Sequence, residues 1–329
     1  MFGNRFKVFS LMLLILNFTF LCFAQEIKEP CASGTFYPDN PKDLSRMIDG
    51  FLGAATPKPI DAEIFALISP HAGYGYSGQT AAYGYKLIQT RPYKTVIVIG
   101  TSHNYGFNGV SIYPEGAFRT LLGDLEIDKE FAQKLLNKDT EVSFKPEAFE
   151  KEHSVEVQLL FLQKVLSGFK IVPIVMGDCT LSNCQKLAAL LKEAIAGRKD
   201  VLVVASTDMY HGYDYQEAEA VDNSTLLYLK SMDAEGLYYG LREGKLQLCG
   251  GFGAVATIIL AKELGYKTLD VLNYTDSSKV TGNRIKGIWT VGYASCVISR
   301  PKAAESQSAP GGSKSSPKAQ GKEGENIVK

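Results

Sequence analysis

Histidines are the residues of this sequence with the clearest chemical use, and three of the four stand in equivalent places. His71, His103 and His211 each come a few residues after a short segment rich in β-branched apolar side chains. Such segments are typical of strands buried in a parallel sheet, whose carboxyl ends lie along one edge, where ligands bind. Imidazole is the commonest transition-metal ligand and suits proton transfer near neutral pH. We therefore expect the three rings to share one pocket for a metal ion, acid/base chemistry or both.

A cysteine in a glycine-rich loop is the next candidate for this pocket. Cys249 stands in the segment 248–253, directly before an apolar stretch that predicts a helix. The field at a helix N-terminus favours the thiolate form, and the glycines allow close approach of backbone or ligand. Two neutral imidazoles and one thiolate suit Fe(II), Cu or Zn and leave positions open for substrate. The same loop could instead cradle an anion, although no Lys-Ser/Thr pair of a phosphate-binding loop follows it.

The remaining histidine begins a predicted helix. His153 is followed one turn later by Glu156 on the same helix face. A polar residue at a helix start also caps the helix or bonds to a neighbouring loop. For His153 and Glu156, a supporting role beside the metal and a purely structural role therefore both remain open.

The other cysteines do not indicate a structural zinc site, because their spacings contain no CxxC pair. Cys179 and Cys184 flank a predicted strand-to-helix turn. They could form a disulfide if the protein resides in an oxidising compartment.

Alternating strands and helices must position these side chains. The predicted strands span residues 62–70, 94–100, 170–176 and 200–206. The predicted helices span residues 79–87, 129–136, 154–166, 181–196, 216–230 and 253–264. A small β-hairpin insertion is predicted at 119–127, and 285–298 is interpreted as one long or two short closing strands. The pattern predicts an α/β fold: a single domain with a largely parallel central sheet flanked by helices.

The two ends of the chain do not fit this pattern. Residues 1–24 have a basic start, an uncharged apolar middle and Ala24 at the end, which is the order of a secretory signal peptide. We expect cleavage after Ala24 and export to a periplasmic or extracellular location, with no stable membrane span left after cleavage. The alternatives are an uncleaved membrane anchor and a lipoprotein built on Cys22. Residues 299–329 have a composition typical of a disordered tail, which leaves 25–298 as one folded domain.

Composition narrows the class of partner. The chain has 329 residues, with 35 basic and 35 acidic side chains and 45% hydrophobic residues. These values exclude wholesale disorder and a polytopic membrane protein. The balanced charge predicts no broad cationic surface for nucleic acid or anionic lipid and leaves a small-molecule or peptide ligand as the expected partner. The sequence carries no signal for an oligomeric state.

Six short motifs occur in the order found in one known family. The motifs are Gly34-Thr-Phe-Tyr-Pro38, Ser69-Pro-His71-Ala-Gly-Tyr74 with Ser77-Gly78, Gly100-Thr-Ser-His103, Glu152-His153-Ser-x-Glu156-x-Gln158, Ser206-Thr-Asp208-x-x-His211 and Cys249-Gly250. From about residue 31 to residue 297 the chain resembles the Memo family, whose bacterial members are called AmmeMemoRadiSam system protein B. That family is similar in fold to the class III extradiol ring-cleaving dioxygenases, so the resemblance implies a dioxygenase-like α/β domain with a non-haem metal pocket.

The resemblance also implies roles for particular residues. His71 and His103 match the two metal-binding histidines of the dioxygenase pocket, and Cys249 stands where those enzymes carry a metal-binding carboxylate. His211 matches their acid/base histidine, with Asp208 beside it to orient that histidine or a substrate. The thiolate makes the site softer than a two-histidine, one-carboxylate site, which favours copper or a redox-active iron and argues against simple ring cleavage.

Three functions remain after this comparison. The first is a metal-dependent oxidoreductase or dioxygenase-like enzyme of unknown substrate. The second is a metal-binding or peptide-binding module that keeps the pocket without turnover. The third is metal-assisted hydrolysis, for which no residue pattern specifically argues.

Overall fold

The computed structural model describes residues 27–136 and 141–302. The predicted signal peptide (1–24) lies outside the described residues, as does the predicted tail from residue 303 onward. Among the described residues, no helix combines the length and apolarity needed to cross a bilayer.

The elements follow one another in the alternating order that the sequence predicts. The strands are β1 (Ile27–Lys28), β2 (Ala62–Ser69), β3 (Thr95–Thr101), β4 (Val110–Ile112), β5 (Ala117–Thr120), β6 (Gly123–Glu126), β7 (Val142–Ser143), β8 (Lys170–Met176), β9 (Val201–Ser206), β10 (His211–Gly212), β11 (Thr268–Asp276) and β12 (Thr290–Pro301). The helices are α1 (Pro41–Ala54), α2 (Tyr74–Ile88), α3 (Lys129–Leu136), α4 (Glu147–Glu150), α5 (His153–Val165), α6 (Leu181–Ile195), α7 (Tyr215–Ser231), α8 (Ala234–Arg242), α9 (Gly251–Glu263) and α10 (Ser277–Thr281).

A nine-stranded sheet forms the centre of the described domain. Its strands lie in the order β10-β12-β2-β9-β3-β8-β4-β7, and β11 pairs with β12. The four central strands β2, β9, β3 and β8 are mutually parallel, whereas β12 runs antiparallel to β2 and β4 runs antiparallel to β8. The predicted parallel core is therefore confirmed, with antiparallel strands added at both sides.

Helices cover the sheet and bury the central strands on both faces. α1, α2 and α5 contact one another on the sheet, and α6, α8 and α9 form a second contacting group. Every residue of β9 is buried, which explains why its sequence is continuously apolar rather than alternating. The mixed α/β single-domain fold agrees with the prediction.

The predicted hairpin at 119–127 forms as β5 and β6, in which Arg119 lies opposite Asp124. It does not join the central sheet. The short strand β1 pairs in parallel with β5, so the hairpin belongs to a separate three-stranded sheet.

Two features at the C-terminal side differ from the sequence prediction. The closing segment is one strand, Thr290–Pro301, that runs three residues past the predicted domain end because Ser299, Arg300 and Pro301 pair with β2. Its neighbour β11 was not predicted, since most of its residues are only partly buried and include polar side chains at an edge of the sheet. The helices α1 and α8 were also missed, although Asn40 before Pro41 is a recognisable helix start whose side chain caps α1.

Candidate metal centre

Two histidines meet at the carboxyl edge of the parallel strands. His71 follows the end of β2 and His103 follows the end of β3, and their ring centroids lie 5.0 Å apart. One donor atom from each of His71, His103 and Cys249 lies within 4.8 Å of the others, which is compact enough for one ion to touch all three. The fold thus brings His103, which lies 32 positions after His71, and Cys249, which lies 178 positions after it, to the same point.

The loop that carries Cys249 is packed tightly against the end of β9. The thiol sulfur lies 3.0 Å from His71 Nε2 and accepts a hydrogen bond from the Asp208 backbone N–H at 3.2 Å. A Cβ atom at Gly250 would lie 2.1 Å from the carbonyl oxygen of Ser206. Only glycine fits at this contact, so the Cys-Gly pair is a steric requirement for placing the sulfur here.

A hydrogen-bond chain sets which nitrogen of His71 faces the thiol. Ser206 Oγ donates its single hydrogen to the Ser154 carbonyl at 2.6 Å and accepts from Gln158 Nε2 at 2.7 Å. The contact of 3.0 Å between Ser206 Oγ and His71 Nδ1 must therefore use a hydrogen on His71. The Tyr85 hydroxyl, which donates to Gln158 Oε1, holds the amide in this orientation. Consequently, the lone pair of His71 lies on Nε2, toward Cys249.

Glu152 supplies the same orientation for His103. Its carboxylate accepts from His103 Nδ1 at 2.9 Å, from the His103 backbone N–H at 2.7 Å and from the Ser154 backbone N–H at 2.8 Å. Burial opposes ionisation, but the hydrogen bond and charge of His103 lower the pKa of Glu152 to about 2. The ionised carboxylate therefore holds a hydrogen on His103 Nδ1, so that a metal ion would be bound through Nε2.

Sequence reasoning did not assign a role to Glu152, Ser206 or Gln158. A signal existed for Glu152, which stands directly before His153 as the N-cap residue of α5. Partners of this kind orient metal-binding histidines in many proteins. Ser206 and Gln158 carry no comparable signal, because their effect depends on contacts across 48 residues.

His153 joins the cluster, whereas Glu156 does not. The His153 ring stacks on His103 with centroids 4.6 Å apart and meets His71 edge-on at 5.4 Å. Burial, followed by the nearby His71, lowers the pKa of His153 to about 4. Glu156 instead bonds to the N-terminal segment, accepting from Cys31 N at 2.7 Å and Tyr37 Oη at 2.5 Å. Of the two roles left open for Glu156, its contacts favour the structural one, since its carboxylate bonds to residues 28–37.

His211 and Asp208 lie close to Cys249 and form a second group of possible ligands with it. Donor atoms of Asp208, His211 and Cys249 approach one another within 4.8 Å. The hydrogen bonds of Asp208 go to the backbone N–H groups of His71 and Ala72 rather than to His211. His211 is oriented instead by its Nδ1, which donates to the Met209 carbonyl at 2.9 Å. The Asp208 side chain thus positions the His71 loop, and the Met209 carbonyl holds a hydrogen on Nδ1 of His211.

The donor set fits a soft or borderline transition-metal ion. Burial, and then the charge of Asp208, raise the pKa of Cys249, which opposes the thiolate that the helix N-terminus favours. Burial, and then His103, lower the pKa of His71 to about 3, so this ring is neutral. A bound cation removes the conflict at Cys249, because coordination deprotonates a thiol. Two imidazoles that are held through Nδ1 and one buried thiol form a donor set of the kind that such an ion requires.

The other described cysteines are free thiols. Cys179 Sγ contacts the Gly109 carbonyl at 3.2 Å and Cys184 Sγ contacts the Phe252 carbonyl at 3.6 Å, so the two thiols face different neighbours. The disulfide that their spacing permits is not formed in this structure.

A cavity of about 470 Å³ opens beside the centre. His211, Cys249, Arg242 and Phe252 are among the residues that line it. Its size is in the range of small-molecule sites.

A mixed α/β sheet with a His/His/Cys donor set at the carboxyl ends of its parallel strands defines a class of candidate metalloprotein. A family model described as Memo-like protein matches residues 28–297. The chain belongs to the Memo family.

Relatives from distant organisms match along nearly their full length. A MEMO1 family protein of Methanobrevibacter smithii is 35% identical over 283 residues, which cover 83% of this chain and 99% of that protein. A MEMO1 family protein of Thermotoga neapolitana is 32% identical over 283 residues, covering 83% and 100%. One from Nitrosopumilus maritimus is 32% identical over 263 residues, covering 78% and 95%. Their names state the family and no substrate or reaction.

Proposed function

We propose that this Memo-family protein is a metal-dependent oxidoreductase whose metal ligands are His71, His103 and Cys249. The main supporting observation is the preset orientation of both rings, with the Nδ1 of each held by Ser206 or Glu152 and with His71 Nε2 3.0 Å from the Cys249 sulfur. Such supporting hydrogen bonds are typical of built metal sites rather than chance clusters. The thiol ligand favours iron in the Fe(II) state or copper, with zinc as the non-redox alternative.

The protein's own side chains prepare the reaction. A bound iron or copper ion would supply one-electron chemistry and an open position for substrate or dioxygen. His211 Nε2 is free to take a proton from a substrate, because the Met209 carbonyl holds the hydrogen on Nδ1. His211 is exposed, so the proton can pass on to solvent. Asp208 is a positioning residue that holds the His71 backbone and, through its own N–H, the Cys249 sulfur.

The ligand we propose is a small molecule in the cavity of about 470 Å³. This cavity reaches both Cys249 and His211, so a substrate in it contacts the metal ligand and the proposed proton acceptor together.

The test is a comparison of metal content and oxygen consumption. The protein is purified without oxygen, its bound iron, copper and zinc are measured, and oxygen uptake is followed with catechols, ascorbate and thiols as reductants. We expect one transition-metal ion per chain in the wild type, and loss of both metal and oxygen uptake in His71→Ala and Cys249→Ala.

His211→Gln separates binding from turnover. Because His211 is not a proposed ligand, this variant should keep its metal and lose at least about tenfold in rate. Metal loading without turnover in the wild type would show a non-catalytic metal-binding module. Absence of a stoichiometric metal under reducing conditions would overturn the metal centre itself.

We also propose that the protein is exported. The support is the order of residues 1–24, with basic, apolar and small residues in sequence. In an oxidising compartment, metal ligation would protect the Cys249 thiol from oxidation.

A further inference from the structure

A second cavity, of about 420 Å³, is lined by residues outside the proposed metal-binding set. Its aromatic walls are Tyr76, Trp289 and Tyr293. Ser278 and Asn283 contribute polar groups, and the lining residues in the described part of the chain include no charged side chain.

Two of the three aromatic side chains are unusually exposed for their residue types, whereas Tyr293 is buried. Trp289, which is the single tryptophan of the sequence, is 50% exposed, and Tyr76 is 48% exposed. Ile288 at the same cavity is 41% exposed. Isolated exposed apolar residues are ordinary, but several that converge on one cavity indicate a binding surface.

Polar groups at this cavity are available to a ligand. Within the described residues, the Tyr76 hydroxyl, the Asn283 amide and the Trp289 ring N–H have no hydrogen-bond partner. Charges close to the cavity neutralise one another, since Lys279 and Arg284 pair with two carboxylates: Glu219, at 2.8 and 3.0 Å, and Asp276, at 3.2 and 4.0 Å. The cavity therefore offers flat ring faces and neutral hydrogen-bonding groups without a net charge.

Two contacts join the cavity to the metal centre. The Trp289 ring lies 6.2 Å from the His211 ring, and Tyr213 packs edge-on against Trp289 at 4.9 Å. Val291, another lining residue, pairs with His211 where β12 runs beside β10. A molecule that spans a few ångströms past His211 could occupy both sites.

We propose that this cavity binds an uncharged, flat ring with hydrogen-bonding groups on its edge, and that the ring is the recognition part of the small molecule that reacts at the metal centre. The flat shape follows from the Trp289 and Tyr76 faces, since stacked rings prefer parallel-displaced contact. The neutral character follows from the lining, because a charge buried there has no counter-charge. The second half of the proposal rests on the proposed function, whereas the first half does not.

The single tryptophan makes the cavity directly observable. The protein without residues 1–24 is produced with 5-fluorotryptophan, so that one ¹⁹F resonance reports on Trp289. Benzamide is the probe, and two matched compounds are its controls: benzoate has the same shape with a charge, and cyclohexanecarboxamide has the same amide on a ring that is not flat. We expect a saturable shift with benzamide and binding at least about fivefold weaker for both controls.

Variants locate the binding. Tyr76→Leu should weaken benzamide binding by about fivefold, and Asn283→Ala should weaken it by about threefold. Tyr239→Leu changes a tyrosine that is 55% exposed on α8, away from the cavity, and should leave binding unchanged. Equal binding of the three compounds, no saturable shift up to the solubility of benzamide, or no effect of Tyr76→Leu would each overturn the proposal.

The same titration separates this proposal from the proposed function. Cys249→Ala should still bind benzamide, because Cys249 does not line the cavity. If the wild type binds benzamide but takes up no metal, the cavity proposal stands and the metal function fails. A ¹⁹F shift that depends on protein concentration without benzamide would show that a second copy covers Trp289, which would overturn the small-molecule assignment.

Discussion

At the scale of single residues, the site depends on acceptors that hold one nitrogen of each ring. Ser206 does this for His71, the Glu152 carboxylate for His103 and the Met209 carbonyl for His211. In each case Nδ1 is occupied, so Nε2 faces outward for a metal ion or a proton. The chemistry of the centre is therefore set by the residues behind the histidines as much as by the histidines.

Glu152→Gln tests this arrangement at one ring. An amide can still accept from His103, but it lacks the charge that stabilises a metal-bound imidazole, so metal affinity should fall by about 10- to 100-fold. Competition with a chelator of known affinity measures the change. Glu150→Gln alters an exposed carboxylate two residues away and should bind metal like the wild type. Unchanged affinity in Glu152→Gln would contradict a role for this carboxylate in the centre.

Because Asp222 is buried, we expect the free energy of unfolding to depend on pH. Asp222 accepts from the Tyr210 backbone N–H and the Tyr274 hydroxyl, and burial, helped by nearby Asp276, raises its pKa from 3.8 to about 7. Between these values the unfolded chain releases a proton that the folded protein retains, so rising pH favours unfolding. Asp222→Asn removes this effect. Its free energy of unfolding relative to wild type should increase by about 2 kcal/mol from pH 5 to pH 8.

Urea denaturation at the two pH values measures that difference. Asp270→Asn, which changes an exposed carboxylate on the same strand as Tyr274, serves as the control and should show no pH-dependent gain. A constant difference between Asp222→Asn and wild type across this range would show that Asp222 is already ionised in the folded protein at pH 5.

At the scale of elements, one buried carboxylate on α5 binds four groups of the N-terminal segment 27–40. Glu156 accepts from Lys28 Nζ, from the backbone N–H groups of Cys31 and Ala32, and from the Tyr37 hydroxyl. Burial opposes ionisation, but Lys28 and these hydrogen bonds lower the pKa of Glu156. The same segment places the Phe36 ring on His153 at 4.0 Å. Docking of this segment therefore completes one wall of the metal centre.

Glu156→Gln should loosen the segment. Removing one partner of a buried ion pair leaves Lys28 without its counter-charge, which costs about 3 to 5 kcal/mol. Hydrogen exchange at the Cys31 and Ala32 amides should accelerate together with the loss of stability. The double variant Lys28→Met, Glu156→Gln removes the stranded charge and should recover part of the loss. A single variant within about 1 kcal/mol of wild type would show that Glu156 does not anchor the segment.

At the scale of the whole molecule, the parallel sheet brings the residues of the candidate site together. β2, β3 and β9 run in the same direction, so the loops after them meet at one edge, where α9 and the Cys249 loop close the centre. The long strand β12 pairs with β2, β10 and β11 and joins the Trp289 cavity to this edge. The candidate metal centre and the second cavity are thus parts of one continuous framework.

The N-terminal residues 1–24 lead to a prediction about processing of the protein in the cell. Cleavage after Ala24 would leave Gln25 two residues before β1, close to the start of the folded domain. Intact mass and N-terminal sequencing of the protein from its native source should therefore identify Gln25 or a neighbour as the first residue. Recovery of a soluble intracellular form that begins at Met1 would contradict export.

Much of the fold could be predicted from the sequence because the patterns that mark its strands and helices are local. Buried parallel strands require continuous apolar segments, and the amphipathic or apolar periods of α5, α6 and α9 mark helices, so these elements were predicted within a few residues. β11 was not, because an edge strand needs no continuous apolar run. The convergence of His71 and His103 was also predictable, since it follows from the parallel order of the strands.

The partners of those residues were decided by the tertiary structure. Nothing in the spacing of Glu152 and Glu156, four residues apart on one helix, shows that the first bonds His103 while the second anchors residues 28–37. The same holds for the Ser206–Gln158–Tyr85 chain and for Trp289 beside His211. The physical reason is range: residue types and periodicity record which face of an element is buried, whereas hydrogen-bond partners depend on how distant elements pack.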